Sequence, residues 1–374
     1  MEITVHKNVL NKHLKLASGS AANESSMKLC ECILLEAAGN LLSLCCNNLE
    51  TSVKTAFSNC QIIKNGRCAV NAKIFVSLVN GMPEADITVT CDENYRLTLQ
   101  SGKVKFEIGA LDPEGFPQTP DCGASDGFSS IKIKQSDLKK IIKKTVFSAA
   151  ADGGGKPVFK GELFETESGS LKAVTVDGFR ISFGRADAQI TLADESEIKE
   201  IIPADALKEL LRILPDSEEE ISVHFINNQA FFKAGDFIFS SRLIEGEFFN
   251  YEQNFSADFP ITVELKAAAL LNSAERSILL SQSDLKKQPF ILNISDDVIN
   301  VEIISDLGQM DDAIVCDKKG SDIKIAFNPK FISEALKAGE FENLRLLMST
   351  PRSACVLCDI NDANYKYLVL PVKF

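Results

Sequence analysis

The 374 residues contain no tryptophan and only three histidines, His6, His13 and His224. That scarcity argues against hydrolase triads and histidine-rich metal sites. No run of about 18 apolar residues occurs, which argues against a membrane-spanning helix. The opening MEITVHKNVL lacks the basic-then-apolar layout of a secretory signal, so the expected compartment is the cytoplasm. Basic residues are the scarcer charge, 40 Lys and Arg against 52 Asp and Glu, for a formal net charge of −12. Such an average speaks against nucleic acid as a partner until the distribution of charge is known. Hydrophobic residues at 45% and charged residues at 25% match globular usage and exclude wholesale disorder, collagen and coiled coil. The length predicts two or three domains.

Cysteine is not scarce, with 11 in the chain. An odd count without a signal predicts buried, reduced thiols rather than disulfides. Cys30/Cys32 and Cys355/Cys358 could be halves of a metal site, but no histidine lies near either pair, and a CxC does not fit zinc spacing. The stretch 151–159, ADGGGKPVF, has glycines like a phosphate loop, yet Lys156 precedes Pro157 where Ser or Thr at a helix start is required. The acidic stretches 215–220 and 311–322 lack the glycine and terminal glutamate of a calcium loop. No metal, cofactor or catalytic residue is expected.

What is present is a threefold repeat. ITVHKNVLNKHLKLAS from Ile3, IKIKQSDLKKIIKKTVFSA from Ile131 and ITVELKAAALLNSAERS from Ile261 each read as a short strand followed by an amphipathic helix. A second strand–helix–strand pattern recurs from Val70, Ile202 and Phe327, each helix beginning at a polar residue or a proline. Residues 101–116 also resemble 234–249: Gly102 matches Gly235, Phe106 matches Phe239 and Asp112 matches Glu245. The predicted fold class is α+β, with three repeated units of two helices packed on antiparallel sheets. The expected boundaries are 1–125, 126–252 and 253–374, with linkers near 121–128 and 251–260.

The repeat helices depart from the sign of the chain. Residues 6–17 carry Lys7, Lys12 and Lys15 and no acid; residues 71–83 carry Lys73 and no acid. In 135–147, Lys139, Lys140, Lys143 and Lys144 form a stripe apart from the apolar Leu138, Ile141, Ile142 and Val146. Lys208 and Arg212 in 203–214, Lys266 and Arg276 in 262–276, and Lys330 and Lys337 in 328–339 are balanced or nearly balanced by acids. The six segments together are positive within a chain of net −12. One such stripe usually means a solvated face, but six of them biased together favour a polyanion-facing surface. No aromatic platform accompanies the lysines, which favours duplex over single strands.

With GDFIFSSRLIEGEFFNY, LFETESGSLKAVTVDGFRIS, IAFNPKFISEAL and the ending YLVLPVKF, the chain resembles, from its first strand to its last residue, the bacterial sliding clamps, the beta subunits of DNA polymerase III. The resemblance implies a non-enzymatic processivity factor: two protomers joined head to tail around double-stranded DNA, held without sequence readout, with helices lining the hole. It implies DNA-facing Lys12, Lys73, Lys139, Lys143, Lys156, Lys208, Arg212, Lys266 and Lys330. It also implies a pocket between the second and third domains for peptides of the polymerase III alpha subunit, the clamp loader and other proteins with a clamp-binding motif. Its floor would be Val176, Gly178, Phe179, Arg180 and Ile181. Phe159, Phe249, Asn328 and Phe331 would add walls, and Val369, Leu370, Pro371, Val372, Lys373 and Phe374 would close it. The homodimer interface would pair Phe106 and Ile108, on an edge strand, with the helix holding Leu270 and Leu271.

Three positions depart from the family pattern. Phe179 stands where the family commonly has histidine, Phe249 where it has proline, and Glu24 where a DNA-facing arginine is frequent. KLCECILL also lacks the family's usual proline. A secondary clamp for repair or a mobile element therefore stays open beside the replicase clamp. So does an enzyme built on a triplicated α+β scaffold, for which the carboxylates would serve as acid and base.

Overall fold

The computed structural model describes residues 1–119, 128–151, 156–193, 197–280 and 288–374. Residues 121–127 of the expected 121–128 linker and the glycines of the 151–159 loop lie outside them. Among the described residues there are seven α-helices: α1 (Lys7–Ala17), α2 (Ala72–Gly81), α3 (Gln135–Thr145), α4 (Ala204–Ile213), α5 (Glu252–Phe255), α6 (Ala267–Leu280) and α7 (Pro329–Gly339). Among the described residues, no helix is long and apolar enough to cross a membrane.

The chain folds into two compact units. The first comprises Met1–Ser136, Gln189–Ser196 and Asp205–Leu243; the second comprises Asp137–Ala188, Glu197–Ala204 and Ile244–Phe374. The strands of the middle repeat are thus divided between two units, which a reading by repeats alone does not anticipate. Among the described residues, each unit holds one nine-stranded antiparallel sheet and one smaller sheet, of five strands in the first unit and four in the second.

In each nine-stranded sheet, one repeat meets the next edge to edge. In the first unit, Phe237–Arg242 pairs with Thr51–Phe57, Phe239 standing opposite Val53. Ser52 and Ser240 share a hydrogen bond of 2.7 Å across that seam. In the second unit, Arg180–Asp187 pairs with Tyr365–Val369, Arg180 standing opposite Val369. The alternation of apolar residues sets these registers, because a slip by one residue would turn every buried side chain outward.

Helix starts follow their capping residues. His6 accepts from the Asn8 amide ahead of α1, Asn71 from the Ile74 amide ahead of α2, and Asn328 from the Lys330 amide ahead of α7, whose first residue is Pro329. The span 262–276, the fifth of the six expected helical segments, is corrected: Ile261–Lys266 is a strand, and α6 runs Ala267–Leu280. Val263 and Leu265 alternate inward on that strand and override the helical spacing seen in one dimension. The expected linker at 251–260 is anchored. Tyr251 is buried, and its hydroxyl donates to Glu165 at 2.5 Å.

Candidate functional site

Asp177, Gly178, Phe179 and Arg180 form the tight turn between the strands Ser170–Val176 and Arg180–Asp187. Gly178 has φ +89°, which an L side chain rarely adopts. Asp177 fixes the turn, its Oδ1 accepting from the amides of Phe179 at 2.9 Å and Arg180 at 3.1 Å. The turn leaves Phe179 59% exposed at its tip.

Arg180 is held on every side. Its Nε donates to Asp177 Oδ2 at 2.8 Å and its NH1 to Glu334 Oε2, on α7, at 2.5 Å. The guanidinium lies 4.4 Å from the Phe331 ring centre and 5.4 Å from that of Phe147. Phe331 in turn meets Phe179 at 6.5 Å. A charged group this constrained is a fixed wall, presenting one side of a planar cation to a ligand.

Beside it lies a cleft of about 160 Å³ lined mostly by apolar atoms. Phe159, Val176, Gly178, Phe179, Arg180, Ile181, Phe249 and Leu370, which the family resemblance assigns to a partner pocket, line it together with Asn254 and Leu368. These last two carry no individual signal: Leu368 reads as core, and Asn254 as linker.

The remaining pocket candidates stand elsewhere. Asn328 uses its side-chain oxygen to cap α7. Val369 is buried in the core. The chain end leaves the cleft after Leu370, whose amide donates to the Phe179 carbonyl at 2.9 Å. Pro371 follows, and the Val372 amide then bonds Ala326 at 2.8 Å. Lys373 is exposed, and the Phe374 ring receives the Lys324 ammonium at 5.7 Å. The tail is tied down next to the cleft rather than folded over it.

The basic helix faces are partly spent on intramolecular contacts. Lys12, Lys73, Lys156 and Arg212 are exposed, and Lys139 is half-buried. Lys143 pairs with Glu340 at 2.8 Å, Lys208 with Asp205 at 2.9 Å and Lys330 with Glu334 at 3.8 Å. Lys266 is the last residue of a strand, not a helix, and pairs with Glu342 at 3.0 Å. Glu24 is exposed.

Lys144 departs furthest from the stripe read in the sequence. It is buried, 4.5 Å over the Tyr365 ring, and donates to the Gly339 carbonyl at 2.7 Å. Gly339 ends α7, so the ammonium sits against the negative end of that helix. Burial, with Lys140 nearby, holds the Lys144 ammonium below the usual lysine range.

Phe106 and Ile108 are half-buried on Val104–Gly109, the edge strand of the five-stranded sheet. Leu270 is fully buried in the core of its own unit, which leaves the half-buried Leu271 as the surface residue of that pair. The ten described cysteines are free thiols, nine of them buried. Among the described residues, no three His, Cys, Asp or Glu are grouped to hold a metal.

Comparison with known proteins covers the chain from end to end. Family models of the DNA polymerase III beta subunit match in order: the N-terminal domain over residues 1–120, the central domain over 132–250 and the C-terminal domain over 253–373. The beta sliding clamp of Halalkalibacterium halodurans is 24% identical over 382 residues, which is 100% of both chains. The solved structure of the Bacillus subtilis DNA polymerase sliding clamp shares the fold, with a TM-score of 0.94 at 23% identity, over 100% of this chain and 99% of that one. A putative DNA polymerase III beta subunit from Eubacterium rectale is 33% identical with a TM-score of 0.92, over 100% of both chains. With its three domains matched in order and a relative of one-third identity along its whole length, the chain belongs to the DNA polymerase III beta subunit family.

Proposed function

We propose that the chain is a DNA polymerase processivity clamp: a non-enzymatic ring of two copies that encloses duplex DNA and tethers the polymerase and the clamp loader through the Phe179–Arg180 cleft. The observation that carries this reading is the in-order match of all three domains to the beta subunit family. The working domains are taken as 1–125, 126–252 and 253–374.

The repeat itself supports a second copy. Phe237–Arg242 closes on Thr51–Phe57, and Tyr365–Val369 closes on Arg180–Asp187. By position in the repeat, the third such pair is Val104–Gly109 and Gly308–Val315. Both are sheet edges. Phe239, closed in its seam, is fully buried, whereas its repeat counterpart Phe106 is half-buried. Ile304, Leu307 and Val315 are exposed at 54%, 63% and 80% around the other edge. Two open edges of matching kind, one from the first repeat and one from the third, suit a head-to-tail contact between copies.

Lys12, Lys73, Lys139, Lys156 and Arg212 are the cations best placed for phosphate. Lys143, Lys208, Lys266 and Lys330 have acidic partners, which weakens their hold and suits sliding over tight binding. The cleft accepts an extended peptide by its apolar floor, with Arg180 orienting the peptide's polar groups.

Small-angle scattering with mass determination tests the assembly. A compact globule of two chains has a radius of gyration of about 27 Å. A dimer mass with a clearly larger radius and a central void is the expected result; a compact monomer contradicts it.

A further inference from the structure

The sheet face that carries the Phe179 cleft continues past Phe249 into a second cleft of about 370 Å³. Phe249 lines both clefts. Phe159 braces it, meeting the rings of Phe249 and Phe248 edge-on at 6.2 and 6.3 Å. The floor of the second cleft, Leu163 and Ile201, belongs to the same apolar cluster as Val176 and Ile181 in the first. A chain lying in the first cleft therefore meets an aromatic ridge and then more of the same groove.

The charge changes across that ridge. Three carboxylates, Glu165, Glu247 and Glu252, line the second cleft against one cation, Lys199. Lys199 lies 2.8 Å from Glu165 and is taken up by it. Lys172 reaches Glu252 at 3.0 Å, from a position that does not line the cleft. Glu247 is exposed at the rim. The balance is negative, while the one charged residue lining the first cleft is Arg180, itself held by Asp177 and Glu334. Phe248 and Phe249 offer ring faces and edges for the methylene stem of a long basic side chain.

We propose that a partner peptide anchored by an apolar residue in the Phe179 cleft continues across Phe249 and places a lysine or arginine in the Glu247–Glu252 cleft. The proposal rests on the reading of the first cleft as a peptide site. It makes the charge beyond the anchor a determinant of which partners bind. Attraction to exposed carboxylates acts on encounter and on preference, and it is sensitive to salt.

The test uses the full-length protein and fluorescein-labelled peptides that share a leucine–phenylalanine anchor and differ in flanking residues: paired lysines, paired alanines or paired glutamates. Fluorescence anisotropy at low ionic strength is expected to give roughly threefold tighter binding for the lysine form than for the alanine form. That advantage should vanish near ~1 M salt, and Glu247→Lys should reverse the order of the lysine and glutamate forms. Equal binding of all three peptides by the parent, or an order unchanged in Glu247→Lys, overturns the proposal. If the alanine peptide binds and loses affinity in Phe179→Ala while the flanks make no difference, the extension fails and the first cleft stands. If no form binds, both readings fall.

Discussion

Glu162 lies fully buried on the strand Gly161–Glu167, and its Oε2 has no hydrogen-bond partner. Thr145 Oγ1 is 2.6 Å from both Glu162 Oε1 and the Ile141 carbonyl. A hydroxyl has one proton and can donate to only one of them. A protonated Glu162 resolves the arrangement, donating to Thr145 while Thr145 donates to Ile141. Burial pushes the Glu162 carboxyl up to about 8, with Thr145 as the weaker opposing influence. An acid raised in the folded state contributes stability that is complete below its unfolded value of 4.5 and is lost as pH rises through about 8. Glu162→Gln supplies a fixed amide donor of the same shape. Thermal melts from pH 5 to 9 should show the parent losing stability relative to Glu162→Gln as pH rises; parallel curves would show that Glu162 stays charged.

Lys144 illustrates why spacing alone misjudges a charge. Its position in the helix matches the solvated stripe, but Gly339 and Tyr365 come from distant sequence, so neither the carbonyl it meets nor the ring beneath it is legible locally. Lys144→Met should cost about 1.5–3 kcal/mol in chemical denaturation, the range for a hydrogen bond to a charged group. A change within the ±0.5 kcal/mol typical of surface sites would mean the ammonium is solvated. Phe179 is the opposite case: taken alone it reads as core, the family resemblance assigns it to a pocket floor, and it stands exposed at the tip of its turn. Phe179→His should alter the affinity for a clamp-binding peptide, measured by anisotropy; equal affinities would mean this departure has no bearing on peptide choice.

At the scale of elements, the strand–helix order of each repeat was legible because amphipathic spacing and capping residues agree. Asn71 and Asn328 mark their helices in sequence and cap them in the structure. The start of α6 was not legible: ELKAAALL carries both alternation and helical spacing, and pairing of Ile261–Lys266 with Asn343–Met348 decides it. Nor was the division of the middle repeat, which depends on seams made with strands distant in sequence, Ser240 opposite Ser52 in one and Arg180 opposite Val369 in the other. Edge strands carry the next prediction. Ile108→Asp on Val104–Gly109 places a charge on the open edge, at a half-buried residue that borders the core of its unit without being one of its fully buried members. It should shift the protein to monomer in analytical ultracentrifugation, with the melting curve of the single chain retained. An unchanged dimer would place the contact elsewhere.

At the scale of the whole molecule, an acidic chain with basic helix faces has a simple use. Leaving out the four-residue α5, the helices of two copies number twelve; spaced about 10 Å apart, they would give a circumference of roughly 120 Å. Less the thickness of the helices, an opening on the order of 28 Å remains, enough for a duplex. The excess acid would then face solvent, and the lysines would face phosphate at a density too low for tight binding. Triple substitution of Lys12, Lys73 and Arg212 by glutamate should shorten residence on DNA without changing the dimer, read by single-molecule dwell times and sedimentation. Unchanged dwell times would remove these residues from the DNA path. The most direct test of the central claim is topological. The protein is incubated with a bacterial clamp loader and a nicked circular duplex, the free protein is removed, and half of the sample is cut once with a restriction enzyme. Encirclement predicts that protein persists on the intact circle and runs off the cut one. Equal loss from both forms would contradict a ring closed around DNA.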